Sequence, residues 1–314
     1  MLALQAVVTV ALLVFVFRRF DWAALAAIGG RVSPSFYLVS FVALLLGHGL
    51  YAWRWQVVLV GMGLRVPYAD VLRQYLVGVF FSSLMPTAVG GDAAKVFYLG
   101  RHLGFMEVGA SVLVDRFLGF FWLSVFGAGL SWVTGADTPL LVLNRNLLTV
   151  SAMIFVAMLS LIWTVPVPRL IPAALRTGRL GRVVAKFEEL AGHVRVGGCR
   201  PATLAASGAV VFAYILLLAL VYRSYFAAAG LAAPGLLPTM NVLVSMSVFV
   251  NVPLSVGGIG LREQLHYLLF GELGVSKEAS VSLSLLLFAY SLVVSVAGYV
   301  IWLRMKPAVA AERA

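Results

Sequence analysis

An all-α integral membrane protein, a polytopic helical bundle, is the fold class this sequence predicts. Of its 314 residues 62% are hydrophobic and 11% charged, and the mean hydropathy is +1.02. Several runs stay apolar for about 20 residues, long enough to cross a bilayer. A Gly/Pro-interrupted apolar segment occurs twice, which predicts two inverted repeats, each containing a broken, re-entrant helix pair. No stretch has the composition of a soluble domain, so residues 1–314 are expected to form a single transmembrane domain.

The repeated segment organises the chain. Phe80–Leu99 reads FFSSLMPTAVGGDAAKVFYL, and Val248–Glu263 reads VFVNVPLSVGGIGLRE. Pro86 placed on Pro253 sets an offset of 167 residues, which brings Gly90 onto Gly257, Gly91 onto Gly258 and Lys95 onto Arg262. Proline removes a backbone donor and disturbs the preceding turn. Paired glycines permit conformations other residues avoid and close approach of a partner. A broken backbone at membrane depth is tolerated only where protein or a water-filled cavity covers it. The half-helices after Gly91 and Gly258 are therefore expected to start inside the protein, with free N–H groups that favour an anion.

The remaining elements follow in order. Leu2–Phe17 is a short first span; without a charged n-region or a cleavage site it does not resemble a signal peptide. Phe36–Trp53 is a span ending in Tyr51-Ala52-Trp53-Arg54-Trp55, a pattern suited to the membrane interface, where rings sit among headgroups and arginine snorkels. After the first broken segment come spans at Ser111–Val133 and Leu147–Val165. Repeat 1 is placed at about 36–133. Residues 166–201 form a basic linker, within which Leu180–Val194 has the spacing of an amphipathic helix lying on the cytoplasmic surface. Repeat 2, about 204–303, holds a span at Leu204–Phe226, the second broken segment and a last span at Ala279–Leu303 that Ser276 is positioned to cap.

Basic loops mark the cytoplasmic side. Arg304 and Lys306 place the C-terminus there, and the uncharged Ala227–Met240 loop outside. Counting spans backwards, the first broken segment enters from inside and the second from outside. Arg18, Arg19 and Arg31 do not fit, because two ordinary spans before Arg54 put them on the outer side.

Charges at membrane depth are costly and mark function. The substrate-binding candidates are Lys95, Arg262, Asp92, Asp115, Arg116, Glu263 and His266, with Gly90, Gly91, Gly257 and Gly258 shaping the turns. Asp92 is placed to cap the helix carrying Lys95 or to pair with that lysine at i, i+3. Asp115 and Arg116 can neutralise one another or reach Lys95. Arg262 and His266 share a helix face. Two cations beside two helix N-termini call for an anion such as phosphate. No catalytic constellation, P-loop or dinucleotide fingerprint occurs. The lone Cys199 excludes an internal disulfide, the histidines have no metal spacing, and so apolar a chain gives no support to nucleic-acid binding. No cofactor is expected.

The ordered motifs Tyr51–Trp55, Pro86–Lys95, Val114-Asp115-Arg116 and Pro253–Glu263 resemble the transmembrane region of the lysylphosphatidylglycerol synthase family, the flippase domain of the MprF type. The resemblance spans nearly the whole chain. It implies an inner-membrane protein that moves an anionic phospholipid or a polyprenyl-phosphate-linked headgroup across the bilayer. The soluble aminoacyl-transferase domain of two-part members is expected to be absent, as the chain stops at Ala314. A membrane transferase acting on a lipid phosphate, and a scaffold for envelope biosynthesis, stay open as alternatives. So do a homo-oligomer and an envelope-biosynthesis enzyme as partners.

Overall fold

The computed structural model describes residues 22–84, 89–164, 192, 195, 200–250 and 260–305. Leu2–Phe17, Pro86, the Leu180–Val194 stripe, Pro253, Gly257 and Gly258 lie outside the described residues. Among the described residues every regular element is helical: α1 (Trp22–Gly30), α2 (Pro34–Gly61), α3 (Tyr68–Leu84), α4 (Val89–Leu103), α5 (Phe105–Thr134), α6 (Pro139–Thr164), α7 (Pro201–Ala228), α8 (Leu236–Val250), α9 (Leu261–Gly271) and α10 (Lys277–Arg304). Five of them, α2, α5, α6, α7 and α10, are long and apolar enough to cross a membrane, and the chain is an integral membrane protein.

Local chemistry sets the helix starts. Ser33 Oγ accepts from the Phe36 amide at 3.4 Å, with Pro34 in the first turn. Ser276 Oγ accepts from the Ala279 amide at 3.3 Å, so the predicted cap opens α10. Helix α2 runs further than expected, through the aromatic cluster to Gly61. Trp55 and Arg54 are consequently buried at 0% and 6% exposure, and Arg54 does not snorkel to an interface. Helix α6 packs on α5 and buries only Asn144 and Leu148, while Met153, Ile154 and Leu161 face outward as lipid-facing side chains do.

Helices α2–α5 and α7–α10 are two successive runs of four, and several of their features can be set side by side. Helices α2 and α7 each have 28 residues and each open on a proline, Pro34 and Pro201, which are separated by the same 167-residue offset. Contacts follow the correspondence: α3 packs on α10 as α8 packs on α5, and α2 packs on α7. Phe36 meets Tyr225 and Gly47 meets Tyr214, so α2 and α7 run antiparallel. They cross at Gly47, where a Cβ would stand 2.7 Å from the Tyr214 ring. Tyr214 is the residue to which the offset carries Gly47.

The main apolar core lies in the second half, around Tyr222, Phe226, Leu243 and Phe270. A smaller one, around Trp55, Leu59, Val71 and Val108, supports the first. Serines and asparagines join the halves in the interior: Ser131 donates to Asn241 Oδ1 at 2.9 Å and Asn144 donates to Ser245 Oγ at 3.0 Å. Such pairs satisfy polar groups that would otherwise be stranded away from water.

Candidate functional site

Helix α4 carries the first part of the site. It begins at Val89, so Gly90 and Gly91 lie inside its first turn rather than before it. Neither has a positive φ. The requirement for glycine at 91 is one of approach: a Cβ there would collide with the Gly78 carbonyl and Ser82 Oγ of α3. Gly78 is matched to it, its own Cα standing where a Cβ would meet Lys95 Cε at 3.0 Å and the Gly91 carbonyl at 3.1 Å. The close α3–α4 pairing turns Lys95 into the interior, where its ammonium stands 5.3 Å from the Trp55 ring and 5.1 Å from the Tyr75 ring.

Asp92 joins two cations. Lys95 Nζ donates to its Oδ1 at 3.3 Å, and Arg116 Nε donates to its Oδ2. The i, i+3 pairing anticipated from sequence is present. Asp115 and Arg116 do not neutralise one another: Arg116 turns to Asp92, and Asp115 receives a bidentate fork from Arg54, Nε to Oδ1 at 2.8 Å and Nη2 to Oδ2 at 2.9 Å. Arg54 is thus a charged interior residue that the sequence reading assigned to the interface.

Helix α9 supplies the second part. Gly260, at φ 81°, turns the chain into it, and the Gly260 amide donates to Glu263 Oε2 at 2.7 Å. Glu263 also accepts from Arg262 at 3.0 and 3.2 Å and from Ser284 Oγ at 3.1 Å. It is 4% exposed and acts as a fixed counter-ion behind Arg262. Arg262 itself leans over the Phe288 ring at 5.1 Å. His266, expected on the same face as Arg262, lies in the core: Nδ1 donates to the Arg262 carbonyl at 2.8 Å, so Nε2 accepts from the Tyr222 hydroxyl at 2.6 Å. Stacking against Phe270 completes its enclosure.

These parts converge on a cavity of about 380 Å³, lined by Lys95, Arg116, Arg262 and Asp92 together with Tyr75, Ser82, Ser83 and Ser291. Three cations therefore face one carboxylate in a chamber of hydroxyl groups. Lys95 and Arg262, aligned in the sequence, share this cavity. A second cavity of about 240 Å³ adjoins it through Tyr75, Asp92, Lys95 and Arg116 and reaches Tyr51, Arg54, Asp115 and Gly119. Glu263 and His266 line neither cavity. Among the described residues no group of three His, Cys, Asp or Glu side chains is close enough to hold a metal.

Tyr75, Ser82, Ser83 and Ser291 escaped the sequence reading. Hydroxyls in apolar helices commonly bond to their own backbone, as Ser83 does to the Val79 carbonyl at 3.0 Å and Ser291 to that of Phe288 at 2.7 Å. They leave no sequence signal of facing a cavity. For Arg54 a signal existed, since a charge inside a long apolar helix marks an interior site.

Comparison with known proteins agrees with a membrane-spanning chain. The family model described as the lysylphosphatidylglycerol synthase TM region matches residues 2–298. A UPF0104 membrane protein of Pyrococcus horikoshii is 28% identical over 282 residues, covering 82% of each chain. No solved structure matches.

Proposed function

We propose, from the premise that the chain belongs to the lysylphosphatidylglycerol synthase transmembrane-region family, that it carries the phosphate of an anionic lipid headgroup across the bilayer. One observation carries the reading. Lys95 and Arg262, equivalent positions of the two halves, line one hydroxyl-rich cavity with Arg116. A cation in the middle of a membrane helix costs about 2.5–3.5 kcal/mol on insertion scales. Lys95 and Arg116 share Asp92 while Arg262 holds Glu263, so in these contacts cations outnumber carboxylates, and an anion that visits the cavity offsets the excess. The headgroup phosphate enters the cavity, accepts from Lys95, Arg116 and Arg262, and is further held by the serine hydroxyls, while its chains stay in lipid. Inorganic phosphate presents the same chemistry and is the competing cargo.

The two halves are taken as inverted repeats. The antiparallel α2–α7 crossing at Gly47 and Tyr214, and the matched α3–α10 and α8–α5 packing, support an axis in the membrane plane. Rocking one half against the other then exposes the cavity alternately. Arg65, Arg101, Arg200 and Arg304 flank helix ends that the antiparallel packing brings to one end of the bundle, while at the other end the connections 135–138, 229–235 and 272–276 carry no Lys or Arg and Arg31 is the exception. That bias supports a cytoplasmic C-terminus and a place in the cytoplasmic membrane.

The test is turnover of head-labelled phosphatidylglycerol, a polyprenyl-phosphate probe and inorganic phosphate in proteoliposomes. The Lys95→Ala/Arg262→Ala variant is expected to lose the movement that the wild type shows. Wild-type protein that is folded and moves no probe, or a double variant as fast as wild type, overturns the proposal.

A further inference from the structure

The second cavity has chemistry of its own. Arg54 is 6% exposed and stands about 10 Å from the Gly47 crossing, seven residues along at about 1.5 Å each. Its Nε and Nη2 are taken by Asp115, while Nη1 lies against Gly119. A Cβ on Gly119 would stand 2.7 Å from Nη1, so only a glycine lets the guanidinium lie against α5 and keep its edge at the cavity. The Tyr51 ring sits 4.9 Å from the guanidinium and lines the same space.

The other half of the molecule shows that the fold does not need this pair. The 167-residue offset carries Arg54 to Val221 and Asp115 to Ser282. There Ser282 bonds to the Tyr225 hydroxyl, with no charge at either position. Lys95, in contrast, has its counterpart in Arg262. A buried ion pair is weak evidence for stability, and the uncharged equivalent packs without one. The Arg54–Asp115 pair therefore asks for a role in the cavity it lines.

We infer that the Arg54–Asp115 cavity is a second station for the same phosphate, separated from the Arg262 cavity by Asp92. The inference rests on the reading of the chain as a carrier of phosphate-bearing headgroups. The two cavities meet at the Asp92–Lys95–Arg116 cluster, and each ends in an arginine held by its own carboxylate, Glu263 in one and Asp115 in the other. Asp92 holds the two cations at the junction. An arriving phosphate competes with Asp92 for Lys95 and Arg116, and with those cations released it passes toward Arg54. Because the second half has no charged equivalent of this station, the polar route extends beyond the junction in one direction only.

The experiment compares initial crossing rates and half-saturation for head-labelled phosphatidylglycerol, with uptake of inorganic phosphate as a parallel arm. The Arg54→Met/Asp115→Leu variant, which exchanges the pair for apolar groups, is expected to slow crossing at least tenfold and to change half-saturation less than twofold. Asp92→Asn, relieving the competition, is expected to tighten half-saturation at least threefold. Should the double variant fail to fold, Gly119→Ala keeps every charge while displacing Arg54, and is expected to slow crossing at least fivefold. Loss in the lipid arm identifies a lipid phosphate at the station, and loss confined to the inorganic arm identifies free phosphate. Wild-type rates in the Arg54 and Gly119 variants overturn the station while leaving the carrier reading intact, and unchanged half-saturation in Asp92→Asn overturns the role of Asp92. Wild-type protein that moves neither probe overturns both.

Discussion

Gly91→Ala tests whether the α3–α4 contact, rather than backbone freedom, explains the glycine pair. Replacing a helical glycine by alanine ordinarily gains about 1 kcal/mol in helix propensity. At Gly91 the new methyl would overlap the Gly78 carbonyl and Ser82 Oγ. The first obstacle is backbone and cannot rotate aside, so α4 must shift away from α3. Overpacking of this kind costs typically about 1–3 kcal/mol, and a backbone obstacle belongs at the upper end. The expected net effect is a loss of about 2 kcal/mol. Gly129→Ala is the control: that residue lies in the interior of α5 with open space where a Cβ would go, so the propensity gain stands alone. Thermal unfolding of both purified variants in one detergent gives the comparison. Gly91→Ala should melt several degrees below wild type and Gly129→Ala at or above it. Equal melting temperatures for the two variants would refute the close-approach explanation and return the glycine pair to a conformational role. A second consequence separates packing from function. Because the shift moves Lys95 with α4, Gly91→Ala should also impair headgroup movement at temperatures where it remains folded.

The remaining predictions concern the supports of the site. Tyr222→Phe removes the hydroxyl that donates to His266 Nε2 and leaves that buried nitrogen without a partner; the cost should be about 1–3 kcal/mol, read as a lowered melting temperature. Glu263→Gln should loosen Arg262 and the entry to α9 together, since one carboxylate serves Arg262, Gly260 and Ser284; weaker phosphate-probe binding at unchanged Lys95 checks it. Ser276→Ala deletes the cap of α10 and should cost about 1 kcal/mol, with Ser276→Asp restoring most of it. A Ser276→Ala variant as stable as wild type would show that tertiary packing alone fixes the start of α10.

What the sequence disclosed, and what it hid, follows from the range of each signal. Helix α10 announced itself because cap and apolar run are contiguous, and Ser276 was found where it was expected. Lys95 and Arg262 were legible because each stands at a fixed step from a Gly-Gly pair, so two local patterns sufficed to suggest one cavity. Arg54 was hidden by its neighbours. Tyr51, Trp53 and Trp55 look like an interfacial belt when the helix is taken to end among them, yet α2 continues to Gly61. The charge inside a long apolar helix was the one available signal, and its partner Asp115, 61 residues away on another helix, is what the spacing could not name. Gly91 was half legible: a glycine pair signals either a special φ or a close neighbour, and the choice depends on Gly78, which no spacing rule connects to it. His266 was misplaced for a related reason. A helix turn brings it beneath Arg262, but one face of a short buried helix is wide enough for one side chain to enter a cavity while the other enters the core. The interior of this protein is thus written in two layers. The repeat and its cations are periodic along the chain and can be read from it. The partners that orient those cations, Tyr75, Gly78, Ser284 and Tyr222, are fixed by helix packing and become visible only in three dimensions.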